Sequence, residues 1–116
     1  MLFGLHHVLS VTVYFHQFYG YVRSMDIRFL TTFIEVANTR HFGKAAENLY
    51  LTQSAVSARI KLLEEYFHST LFIRQRNSIQ LTQSGEKLLP YAQQLCSTLN
   101  EAKQELQIQS SEYVVC

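Results

Sequence analysis

Apolar positions along the chain follow a helical period over most of residues 26–108, broken once by a short alternating stretch. Ile27, Leu30, Phe33, Ile34 and Ala37 recur at spacings of three, four and seven, which places them on one face of a helix. Asp26 precedes them as an N-cap, its carboxylate suited to the free amides of the first turn. Asn38 to Gly43 read as a connection, and Lys44 to Tyr50 as a short second helix in which Ala45, Ala46 and Leu49 permit close packing. Leu51 and Thr52 alone separate it from a third helix, capped by Thr52 and running to about Phe67. Two short helices joined so tightly predict a helix-turn-helix.

Leu71 to Arg74 and Ser78 to Leu81 are β-prone segments around the polar turn Gln75-Arg76-Asn77, a small two-stranded wing. Thr82 then caps a last helix of about 27 residues, to about Ile108, which would reach about 40 Å. Pro90 is expected to kink it, because its ring removes an amide donor and crowds the Glu86 carbonyl. A helix of that length outruns the core of so small a domain. Its stripe of Leu88, Leu89, Ala92, Leu95, Leu99, Ala102 and Leu106 therefore predicts a partner helix. The fold class is mainly α, a winged helix-turn-helix with a long C-terminal linker helix.

The third helix carries the candidate chemistry. On a wheel started at Gln53, Ser54, Ser57, Lys61 and Glu64 fall within about 100° to one side of it, while Val56, Ile60 and Leu63 form an apolar seam on the opposite side. Glutamine pairs bidentately with adenine, serine bonds a base or a phosphate, and lysine reaches phosphate or guanine. An ordinary solvated helix face has the same composition, so the stripe alone leaves both readings open.

Charge shifts that balance. The 116 residues carry ten Lys and Arg against nine Asp and Glu, a net charge of +1 that announces no nucleic-acid partner. Locally the picture differs. Six basic side chains (Arg40, Lys44, Arg59, Lys61, Arg74, Arg76) stand against three acidic ones between residues 40 and 76, whereas residues 88–116 hold one Lys against three Glu. The basic surplus lies on the helix-turn-helix and wing, where phosphates would sit.

Other classes find little in the chain. Its two cysteines, Cys96 and Cys116, form no CxxC or His/Cys ligand spacing, so neither a disulfide framework nor a structural zinc is expected, and a reducing cytoplasm is. No His, Asp, Glu, Cys or Ser set has the spacing of a catalytic triad or metal site, and Gly85 is isolated rather than part of a phosphate cradle. The expectation is a non-enzyme without cofactor or metal. Residues 1–24 differ in kind, aromatic and β-branched with Arg23 their one Asp, Glu, Lys or Arg. A membrane span fits poorly, since three His, one Gln and scattered Ser, Thr and Gly interrupt the stretch. With no basic opening and no small-residue cleavage site, a signal peptide fits no better. The favoured reading is an upstream extension, with Met25 as the natural start.

The runs Phe42 to Glu64, Leu71 to Arg74 and Leu81 to Glu86 (FGKAAENLYLTQSAVSARIKLLE, LFIR and LTQSGE) resemble the amino-terminal domain of LysR-type transcriptional regulators. The resemblance implies a third helix in the major groove, a wing beside the minor groove and a linker helix that pairs two protomers on an interrupted palindrome of double-stranded DNA. It assigns base or phosphate contacts to Gln53, Ser54 and Ser57, with Thr52 as their cap. Ala58 stands where many members have Arg, and its methyl suits a thymine methyl. Arg59 follows, at the edge of the seam, either reaching a phosphate or covering core. In the wing, Asn77 stands where many members place a minor-groove Arg three positions after the one matching Arg74, with Arg76 just before it. His68 replaces a usual Gly after the third helix, so a left-handed histidine is expected there at a cost on the order of 1 kcal/mol relative to Gly.

The implied organisation is 1–24 upstream extension, 25–81 winged helix-turn-helix, 82–109 linker and dimerisation helix, and 110–116 truncated tail. Because the family normally continues into a two-lobed effector domain, no small-molecule effector is expected on this polypeptide. The expected product is a cytoplasmic, nucleoid-associated homodimer. An interaction module forming mixed dimers, or a non-functional fragment, are the competing readings.

Overall fold

The computed structural model describes residues 25–106, so the expectations for residues 1–24, 107–109 and 110–116 lie outside the described residues. Helix α1 spans Ile27–Thr39, α2 Phe42–Leu49 and α3 Gln53–Phe67. Strands β1 (Phe72–Gln75) and β2 (Ser78–Leu81) follow, then α4 (Gln83–Glu105).

Side-chain caps set each helix start. The Asp26 carboxylate accepts from the Arg28 amide at 2.9 Å and pairs with the Arg28 guanidinium at 2.7 Å. The hydrogen bonds from Arg28 hold the Asp26 carboxyl below its ordinary range, against the opposing effect of burial. Thr52 Oγ1 accepts from the Ala55 amide at 3.1 Å, and Thr82 Oγ1 from the Gly85 amide at 3.0 Å. The second helix begins earlier than the sequence predicts, at Phe42, because His41 Nδ1 accepts from the Lys44 amide at 3.0 Å. A ring nitrogen bearing a lone pair thus does the work of the usual Ser or Asp cap.

Three helices end on a left-handed residue that is not glycine: Arg40 after α1, Tyr50 after α2 and His68 after α3. At φ 51° and ψ 40°, His68 closes α3 with its amide directed at the Glu64 and Glu65 carbonyls. Replacing it by glycine relieves on the order of 1 kcal/mol, so His68→Gly is expected to raise the melting temperature by roughly 4–8 °C. DNA affinity should stay unchanged. A calorimetric scan showing an equal or lower melting temperature would contradict the strained cap.

The wing is an antiparallel pair with Phe72 opposite Leu81 and Gln75 opposite Ser78, closed by the two-residue turn Arg76-Asn77. Pairing starts at Phe72 rather than Leu71. Leu71 is buried, and its backbone is spent elsewhere, its N–H on Glu64 Oε2 at 2.7 Å and its carbonyl on the Thr82 amide at 3.0 Å. Helix α4 runs without a break through the exposed Pro90 and, at 23 residues, is shorter than predicted within the described residues.

Leu30, Phe33 and Val36 of α1, Ala45 of α2 and Val56, Ile60 and Leu63 of α3 form the centre of the core. Ala92 and Cys96 of α4 join them at 0% exposure, and Leu88 and Leu89 pack partly against the same cluster. The first half of the predicted partner stripe is therefore taken up by the domain's own core, since α1 packs against it. Leu95, Ala102 and Leu106 remain exposed and Leu99 half-buried, with Tyr91 exposed beside them.

Candidate nucleic-acid interface

Helix α3 is held by its seam and free along one flank. Val56, Ile60 and Leu63 are each at most 2% exposed, while Gln53, Ser54, Ala58 and Lys61 are exposed and Ser57 is half-buried. The Thr52 and Ser54 hydroxyls lie 3.2 Å apart, so the cap and the first polar residue share one hydrogen bond. Gln53 reaches back over α2: a methyl group added at Gly43 would stand 3.6 Å from Gln53 Oε1 and 3.0 Å from His41 Cε1. The structure thus brings His41, Gly43 and Gln53 together, a grouping the sequence reading missed because it placed His41 in a loop.

Two side chains of α3, Glu64 of the polar stripe and Arg59 of the predicted contact set, are engaged within the domain. Glu64 leaves the polar stripe, its carboxylate accepting from the Leu71 amide at 2.7 Å and tying α3 to the start of the wing. Half-buried Arg59 donates from Nη1 to Thr32 Oγ1 at 3.3 Å, on the buried side of α1.

In the wing, an aromatic chain positions the charge. Phe72 lies 5.3 Å from Phe33 and 6.3 Å from Phe42, ring centre to ring centre, and the Arg74 guanidinium sits 4.4 Å over the Phe42 ring. That stacking holds Arg74 beside the start of α2 while leaving it exposed. Arg76 and Asn77 are exposed at the turn. Arg40 and Lys44 are also exposed, and Lys44 makes a loose 3.8 Å pair with Glu47 that solvent weakens.

Among the described residues no group of three or more His, Cys, Asp or Glu is placed to hold a metal ion. No helix among them is long and apolar enough to cross a membrane.

A seam-anchored third helix with a Gln/Ser/Lys flank, followed by a basic two-stranded wing, defines a winged helix-turn-helix protein. The pattern of the bacterial regulatory helix-turn-helix proteins of the lysR family matches residues 27–86, and the chain belongs to that family. It is 60% identical over 82 residues to the HTH-type transcriptional regulator HdfR of Shigella boydii serotype 18 and to HdfR of Yersinia enterocolitica serotype O:8. Each match covers 71% of this chain, which spans 29% and 28% of those relatives' lengths. Among solved structures, Vibrio fischeri DarR in complex with DNA matches with a TM-score of 0.70 at 30% identity, over 72% of this chain and 29% of DarR. The BenM DNA-binding domain on catB site 1 DNA matches with a TM-score of 0.69 at 28% identity, over 77% of this chain and all of that one.

Proposed function

We propose that residues 25–106 form a sequence-specific DNA-binding unit of a transcription regulator, acting at the nucleoid in the cytoplasm. The observation that carries this reading is the flank of α3: a capped helix, fixed by a buried seam, that presents Gln53, Ser54, Ser57, Ala58 and Lys61 at its amino-terminal half. These groups fit the edges of bases and the phosphates of a major groove. The wing adds Arg74, Arg76 and Asn77 against the neighbouring backbone or minor groove. Two relatives of the same fold, DarR and the BenM domain, are bound to DNA in their crystals, which supports the same use here.

Two protomers pair through the second half of α4 and its C-cap, along Leu95, Leu99, Ala102 and Leu106. Its exposed leucines are costly in water as a monomer, and a second copy of the same stripe covers them. A two-fold dimer reads a two-fold site, an interrupted inverted repeat. The same exposed leucines also favour a second reading, in which the chain pairs with another regulator of its family and changes which site that protein occupies.

Selection from random-sequence duplexes by the purified chain tests the proposal, with sedimentation at micromolar concentration reporting its assembly. A dimer that enriches an inverted repeat is the expected result. A monomer would overturn pairing through α4, and an unenriched pool would overturn sequence-specific reading.

A further inference from the structure

The seam of α3 fixes the depth of the helix in the domain but not its roll. Apolar contact is non-directional, so Val56, Ile60 and Leu63 resist withdrawal of the helix more than rotation about its axis. Roll matters for the function proposed above, because base edges are read by directional hydrogen bonds from Gln53, Ser54 and Ser57. A directional contact on a flank of the helix is what would set it.

Arg59 supplies one. On the wheel that starts at Gln53 it lies at about 240°, across the seam from Ser57 and Lys61 at about 40° and 80°. Its Nη1 donates to Thr32 Oγ1 at 3.3 Å, and that hydroxyl in turn donates to the Arg28 carbonyl at 2.8 Å, within the first turns of α1. Thr32 is 0% exposed, so the anchor point sits within the core. After the hydrogen bonds from Arg28, the charge of Arg59 adds to the forces that hold the Asp26 carboxyl down, placing the guanidinium near the α1 cap. The geometry points to Arg59 as a positioning residue for base reading: anchored on Thr32, it sets the roll of α3 and so the aim of Gln53, Ser54 and Ser57, and does not itself bind phosphate.

This inference rests on α3 reading DNA, and the variants separate the two. Binding of R59M, T32V and the double variant to a selected duplex and to random duplexes is measured across a salt series, well below each melting temperature. Wild-type preference for the selected duplex tests the reading itself; its absence would overturn both. Given that preference, R59M and T32V should each lower discrimination between the duplexes by roughly tenfold, the scale of one mis-set base contact. The double variant should lose no more than R59M alone. The slope of log affinity against log salt should stay at the wild-type value in all three. A slope shallower by about 0.9 in R59M, with T32V unaffected, would make Arg59 a phosphate contact and overturn the proposal. Lower melting temperatures with unchanged discrimination would overturn it as well, leaving Arg59 a stabilising contact only.

Discussion

Gly85→Ala should cost about 3 kcal/mol or more, and lower the melting temperature by more than about 12 °C in a domain of this size. Gly85 is buried in the first turn of α4, where its amide serves the Thr82 cap. A methyl group there would collide with the Leu71 carbonyl oxygen and come to 2.8 Å from Leu81 Cδ2. The Leu81 side chain can turn aside. The Leu71 carbonyl cannot, because it accepts from the Thr82 amide at 3.0 Å while its own N–H is held by Glu64 at 2.7 Å. Relief therefore requires α4 to move off the wing, breaking the Thr82 cap and the bond from Thr82 Oγ1 to the Thr70 carbonyl at 2.6 Å. Thermal unfolding followed by circular dichroism is the check. A melting temperature within about 2 °C of wild type would mean that the junction yields without cost.

Phe72→Ala has an expected cost of about 3–5 kcal/mol, against a total stability of roughly 5–15 kcal/mol for a small domain. Phe72 is 6% exposed and is the one side chain of β1 that enters the core. It stands between Phe33 of α1 and Phe42 of α2, and Phe42 carries the Arg74 guanidinium on its other partner surface. Truncation leaves a cavity and also removes two aromatic contacts, each worth about 0.5–1.5 kcal/mol. The wing then loses its anchor and Arg74 its platform, so the folded fraction should bind DNA more weakly too. Phe72→Leu refills most of the volume and should recover most of the stability. A loss below about 1 kcal/mol in urea denaturation of the alanine variant would show that the Leu71–Thr82 hydrogen bonds alone hold the wing.

The sequence made the architecture legible where periodicity and capping residues coincide. Asp26, Thr52 and Thr82 each combine a short acceptor side chain with an apolar period behind them, and all three cap helices where expected. Elsewhere the signal was absent for physical reasons. His41 caps α2 through a ring nitrogen, which residue type alone does not announce. Leu71 and Phe72 are both buried, so alternation could not say which begins the strand. Arg40 and Tyr50 adopt left-handed caps without the Gly or Asn that would mark them. Periodicity also cannot tell an apolar residue that meets its own domain from one that does not, and Ala92 is buried in the core while Leu95 stays exposed. Side-chain partners far along the chain were invisible in the same way. Glu64 turns to Leu71, although the wheel places it on the polar stripe, and Arg59 turns to Thr32, where its position at the edge of the seam left both phosphate and core open.

What survives these adjustments is the flank of α3 and the exposed charge of the wing. The net charge of +1 conceals them, since the basic side chains at Arg40, Lys44, Lys61, Arg74 and Arg76 are all exposed on the helix-turn-helix and wing. An interface of this kind binds through phosphates and discriminates through bases, so affinity and specificity respond differently to salt.

The most direct test is a binding titration of the purified chain on its selected duplex and on random DNA between about 50 and 200 mM salt. Sequence-specific binding through phosphates and bases predicts log affinity falling linearly with log salt, by about 0.9 for each phosphate contact, with the selected duplex bound at least about a thousandfold more tightly. Affinity indifferent to salt, or equal for the two duplexes, would contradict it.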